Sequence, residues 1–83
     1  MYQLIYGSKI KKDLRHIPQA QQDRLFERMT LLASTPRHSQ VEKLTDMEGY
    51  RLRVGDYRVL FTIDDHQQTI TIYRIQHCRD VYR

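Results

Sequence analysis

Gly49-Tyr50-Arg51-Leu52-Arg53-Val54-Gly55-Asp56-Tyr57-Arg58-Val59-Leu60-Phe61 is the stretch that decides the fold of this chain. Tyr50, Leu52 and Val54 alternate with Arg51 and Arg53, the two-residue period of a strand buried on one face. Gly55-Asp56 signals a tight turn. Beyond it Tyr57, Val59, Phe61 and Ile63 resume the alternation. Strand, short turn and strand make an antiparallel hairpin. Arg51 and Arg53 then point away from the apolar set, and Arg58 projects to their face from across the turn. Three guanidinium groups converge on one open surface. Fixed cations so placed can hold a phosphate and stabilise the extra charge of its pentavalent transition state. An ordinary solvated strand face shows the same polar alternation. Two features set this one apart: every basic position in it is Arg, and no carboxylate shares the strand face.

Working outward, Asp64-Asp65-His66-Gln67-Gln68 is a second turn, and Thr69 to Gln76, with several β-branched residues, is a third strand. Upstream, Tyr2 to Tyr6 reads as a short strand that Gly7-Ser8 breaks, with Ser8 placed to cap a helix. Ile10, Leu14 and Ile17 make a helical stripe, and Pro18 ends that helix or opens the next. A second helix is expected from Gln19 to about Ser34, with Leu25, Met29 and Leu32 as its stripe and Phe26 beside it. A polar linker from Thr35-Pro36 to about Thr45-Asp46 separates this helical half from the strands. The predicted class is α+β, in one domain over residues 1–83: an N-terminal strand, a two-helix hairpin and three strands, with the helices covering the face opposite the arginines.

An 83-residue chain has a small core and no room for a deep interlobe cleft, so any site must lie on an open face. Lys and Arg number 14 against 10 acidic residues, for a net charge of +4 and a pI near 9.5. That balance favours a polyanionic partner. Ten of the basic residues are Arg, and the last third is rich in it: Arg74, Arg79 and Arg83 join Arg51, Arg53 and Arg58. A single cysteine, Cys78, allows no intrachain disulfide and suits a reducing cytosol. Met1 to Tyr6 does not read as a signal peptide, and no segment approaches the roughly 20 apolar residues of a membrane span. The expected location is cytoplasmic, without a membrane partner.

The tail His77-Cys78-Arg79-Asp80-Val81-Tyr82-Arg83 follows the last strand directly. His77 and Tyr82 are both capable of proton transfer, and a tyrosine needs neighbouring cations to act as a base. The bland alternative is that Val81 and Tyr82 pack the tail down while His77 lies on the surface. His16, at the end of the first helix, and His38 and His66, in loops, are weaker candidates. Ser8, Ser34 and Ser39 have no identifiable partner base, and Cys78 beside a histidine is a weak nucleophile signal. No His/Asp/Glu spacing matches a metal site, and no cofactor is expected.

The Gly49–Phe61 stretch, followed by Ile75-Gln76-His77-Cys78-Arg79-Asp80-Val81-Tyr82-Arg83, closely resembles the RelE branch of the RelE/ParE toxin superfamily. Lys12-Asp13-Leu14, Ser34-Thr35-Pro36-Arg37 and Lys43-Leu44 share the likeness, which runs through essentially the whole chain. The resemblance implies a curved, mostly antiparallel sheet with two helices on one side. It also implies the toxin of a type II toxin–antitoxin system: a ribosome-dependent messenger-RNA endonuclease that inhibits translation and is neutralised by a cognate antitoxin. Carried over by position, Arg51, Arg53, Arg58, His77 and Tyr82 are the catalytic candidates, and Arg51, Arg53, Arg74, Arg79 and Arg83 bind RNA. Many relatives carry Arg where this chain has Cys78, which puts full catalytic strength in question.

The implied partners are the antitoxin, messenger RNA in the ribosomal A site, ribosomal RNA, and operator DNA through the antitoxin. Three other functions compete: a ParE-like DNA gyrase inhibitor without catalysis, a weakened toxin acting mainly in promoter autoregulation, and a plain RNA-binding module. The fold is common to both branches and cannot choose between them.

Overall fold

The structure is a computed structural model that describes residues 1–78. In chain order the elements are β1 (Gln3–Tyr6), α1 (Ile10–Leu14), α2 (Gln19–Leu31), β2 (Val41–Lys43), β3 (Tyr50–Val54), β4 (Tyr57–Asp64) and β5 (Thr69–His77). The five strands form one sheet in the order β1-β5-β4-β3-β2. β1 runs parallel to β5, and the other pairs are antiparallel. The expected α+β architecture is therefore present, with one strand more than the sequence suggested.

The alternation in β3 and β4 works as its period implies. Leu52, Val54, Val59 and Phe61 are buried, and they meet Leu25 and Met29 of α2 and Leu32 just past its end, each fully enclosed. Ile70, Ile72 and Ile75 of β5 complete the layer. Gly55 takes φ +58° in the hairpin turn, a left-handed conformation that glycine adopts without strain.

Three local expectations need correction. Lys9, not Ser8, occupies the position before α1, and no side chain caps it there. The short α1 is held at its other end instead: Gln22 Nε2 donates to the carbonyls of Leu14 (3.0 Å) and Ile17 (2.9 Å). Second, α2 stops at Leu31, because its C-terminal carbonyls turn to tighter partners. The Met29, Thr30 and Leu31 carbonyls accept from the amides only three residues on, those of Leu32, Ala33 and Ser34. Third, the polar linker contains β2, three residues that pair with β3. That strand owes its existence to the partner edge of β3, not to any periodicity of its own.

The far end of the sheet is tied by one surface network. Arg37 binds Asp65 through both terminal nitrogens (2.8 and 3.2 Å), and Tyr2 Oη donates to the same carboxylate at 2.6 Å. Arg37 also lies over the Tyr50 ring, 5.4 Å from its centroid. No helix among the described residues is long and apolar enough to cross a membrane.

Candidate nucleic-acid interface

Strand register assembles the arginine face. Arg53 pairs directly with Arg58 across β3 and β4, and Arg51 pairs with Leu60. Directly paired residues project to the same side of a sheet, so all three guanidinium groups leave the face opposite the helices. Arg53 is exposed and Arg51 half-buried, while Arg58 is only 6% exposed.

Glu42 of β2 pairs with Arg51, and its Oε2 accepts a hydrogen bond from Arg51 Nη2. The expectation of a face without carboxylates is thus overturned, because the strand that brings Glu42 there was not foreseen. The carboxyl is held below its ordinary range, first by the Arg51 hydrogen bond and then by the charge of Arg51. Arg53 and Arg58 also act on it, so one carboxylate lies within the field of all three cations.

The face continues onto β5, where Gln76 pairs with Arg58 and Arg74 with Leu60. The register slips between Leu60 and Phe61, which leaves an extra residue on β5. Ile72 and Ile75 are both buried, and the two residues between them, Tyr73 and Arg74, both face the open side. Tyr73 went unnoticed in the sequence because an uninterrupted period of two gives no sign of a bulge. Its ring lies near Gly49: a Cβ on that glycine would come within 3.6 Å of the Tyr73 hydroxyl.

β1 ends at Tyr6, and the last contact of that edge is the Gly7 amide donating to the Ile72 carbonyl at 2.7 Å. Beyond it α1 covers β5. Asp13 Oδ2 accepts from the Ile75 amide (2.9 Å) and from Arg74 Nε (3.1 Å). One carboxylate thus satisfies a strand-edge donor and fixes Arg74. Gly7, Lys9, Met47, Leu60, Tyr73, Arg74 and Gln76 border an open cleft of about 620 Å³.

The structure does not bring every candidate together. His77 pairs with Tyr57, so the register places it on the helix-covered side. Its ring meets Tyr57 edge-on, with centroids 5.1 Å apart. Gln76 holds the open-face position that the sequence offered to its neighbour. Arg79, Tyr82 and Arg83 lie outside the described residues.

Residues 4–82 match the family model of the ParE toxin of the type II toxin–antitoxin system parDE. Toxin RelG of Mycobacterium tuberculosis is 44% identical over 34 residues, covering 41% of this chain and 39% of that protein. The chain thus matches about two-fifths of the length of this curated relative. The archaeal RelE–RelB complex of Pyrococcus horikoshii contains a chain 27% identical, with a TM-score of 0.81, covering 92% of this chain and 93% of that one. The RelBE2 toxin–antitoxin complex of Mycobacterium tuberculosis contains one 26% identical, also with a TM-score of 0.81, covering 92% and 96%. Together with the five-stranded sheet and its two helices, these likenesses show that the chain belongs to the RelE/ParE superfamily of type II toxin–antitoxin toxins, on its RelE side.

Proposed function

We propose that this toxin, one functional unit over residues 1–83, is a ribosome-dependent messenger-RNA endonuclease of the cytoplasm. The observation that carries the proposal is the convergence of Arg51, Arg53 and Arg58 on one open face, within range of the Glu42 carboxylate. In the reaction the ribose 2′-oxygen attacks the adjacent phosphorus and the 5′-oxygen leaves. The products are a 2′,3′-cyclic phosphate and a 5′-hydroxyl. Arg58 stabilises the developing negative charge, and its burial raises the value of that charge by excluding water. Arg51 and Arg53 hold the backbone. These fixed charges do the electrostatic work without a metal ion. Tyr82 is the first choice for proton transfer, since His77 faces the other side of the sheet.

An open face positions a flexible substrate poorly, and the decoding site supplies the missing order. The basic surface docks on ribosomal RNA. An antitoxin, acidic or amphipathic, neutralises the protein by covering the arginine face, and the pair binds operator DNA. Solved relatives with this fold are complexes of RelE with RelB, which supports a protein antagonist.

Primer extension on a defined message in a translating extract is the test. Cuts inside codons that appear only on engaged messages are expected. Their absence, together with growth arrest and DNA damage on expression, would favour gyrase inhibition, the reading that the ParE family model keeps open. No cuts and no toxicity would point to a weakened toxin with a regulatory role.

A further inference from the structure

We propose that the cleft beside the arginine face is a base-binding subsite, in which an RNA nucleobase next to the held phosphate stacks on Tyr73. The inference rests on the RNA-directed reading above and names which part of this chain receives a base.

The cleft and the arginine cluster share residues of one sheet face. Arg58 pairs with Gln76, Arg51 with Leu60, and Leu60 with Arg74, so the cleft begins one strand away from the cluster, about 5 Å across the sheet. A volume of about 620 Å³ falls within the range of small-ligand pockets. Its lining divides as a nucleotide divides. Leu60 and Tyr73 supply apolar and aromatic surface, the Gln76 amide offers both a donor and an acceptor to a base edge, and Lys9 and Arg74 supply positive charge. Asp13 engages Nε of Arg74 and leaves its terminal nitrogens as donors.

The aromatic surface is built rather than incidental. The bulge on β5 turns Tyr73 toward the open face, and Gly7 lets β1 end close against the strand at that point. A Cβ on Gly7 would approach the Ile72 carbonyl to 3.1 Å and the Tyr73 Cα to 3.3 Å. The Tyr73 hydroxyl is enclosed and has no hydrogen-bond partner among the described residues. Burial pushes its pKa above the ordinary value, so the side chain stays neutral. A buried phenol without a partner is costly. The ring itself, in a cleft rimmed by cations, suits a flat base carried on a polyanion, because every base has a face to stack.

The test uses the full chain and a fluorescein-labelled 2′-fluoro RNA trinucleotide, which lacks the attacking hydroxyl, read by fluorescence anisotropy. Three further trinucleotides each lack one base. One of them should bind wild type about tenfold more weakly than the intact strand. Tyr73→Leu should bind that strand and the intact one equally. Tyr73→Phe should discriminate as wild type does, since the hydroxyl has no partner to lose, and it shows whether a folded chain needs only the ring. Arg53→Ala should weaken all four strands alike. Equal binding of all four by wild type overturns the subsite, as does discrimination that survives Tyr73→Leu or no binding at all. Equal binding by wild type, with loss of antitoxin co-purification in Tyr73→Leu, would reassign the cleft to a protein segment. Cleavage on ribosomes is scored separately: ribosomal cuts without base discrimination sink only the subsite, and discrimination without cuts sinks only the nuclease.

Discussion

Arg53 and Arg58 stand directly opposite each other across β3 and β4, two like charges in one cross-strand pair. Like charges so placed oppose the pairing of their strands.

Replacing one member should therefore separate stability from function. Arg53→Thr, which puts a β-branched residue in the strand, should raise stability by roughly 0.2–1 kcal/mol in urea unfolding. The same variant should cut messages more slowly in the primer-extension assay. A variant that is destabilised, or that cleaves as wild type does, would contradict the role given to this pair.

Arg58 carries a larger expected effect because it is the enclosed member. Arg58→Ala should lower the rate of ribosomal cleavage on the order of a hundredfold, the usual result of losing one transition-state contact. Single-turnover cleavage checks the rate, and a cooperative thermal transition checks that the variant remains folded. Cleavage within a few-fold of wild type would remove Arg58 from the mechanism.

Glu42 competes with any phosphate for Arg51. Glu42→Gln should tighten RNA binding, and the slope of log affinity against log salt should steepen by about one. Anisotropy titrations over a series of salt concentrations give both quantities. An unchanged slope would mean that Arg51 does not meet the RNA backbone.

The acid limb of the stability profile should reflect Asp65 and Glu42, surface carboxylates that pair with arginine. The Asp65 carboxyl is held below its ordinary value of 3.8, first by the Arg37 hydrogen bond and then by that of Tyr2. Glu42 is held below 4.5, first by the hydrogen bond from Arg51. Both folded-state values are depressed, so their contribution is present above the ordinary values and is lost as pH falls through the folded ones. Asp65→Asn should show a shallower loss of melting temperature over that acid range, and added salt should reduce the difference between the two proteins. An identical acid limb would show that the Arg37 pair contributes nothing measurable.

The parts of the fold that could be read in advance are those where the chain repeats a period. Tyr50 to Ile63 announced β3 and β4, and Leu25, Met29 and Leu32 announced the buried stripe at the end of α2. Placing Arg51, Arg53 and Arg58 on one face followed from parity alone. Val41-Glu42-Lys43 is too short to show a period, so β2 and the Glu42 carboxylate were hidden until the edge of β3 was seen. His77 was proposed from its chemistry, while its side of the sheet depends on a register that composition does not reveal. Tyr73 was missed because a bulge depends on the pairing of two strands.

That bulge gives β5 two reading frames. Before it, the side chains that must stay oily are Ile70 and Ile72; after it the beat moves by one, to Ile75. In a scan of every substitution along this strand, scored by folding alone, tolerance of polar residues should not alternate evenly but skip a beat, with two neighbouring non-core positions at Tyr73 and Arg74. Deleting either residue would restore a regular metre, leave Ile75, Gln76 and His77 on their present sides, and remove one side chain from the open face. The strand's ability to offer an aromatic ring beside Arg74 on one face thus depends on a single supernumerary residue.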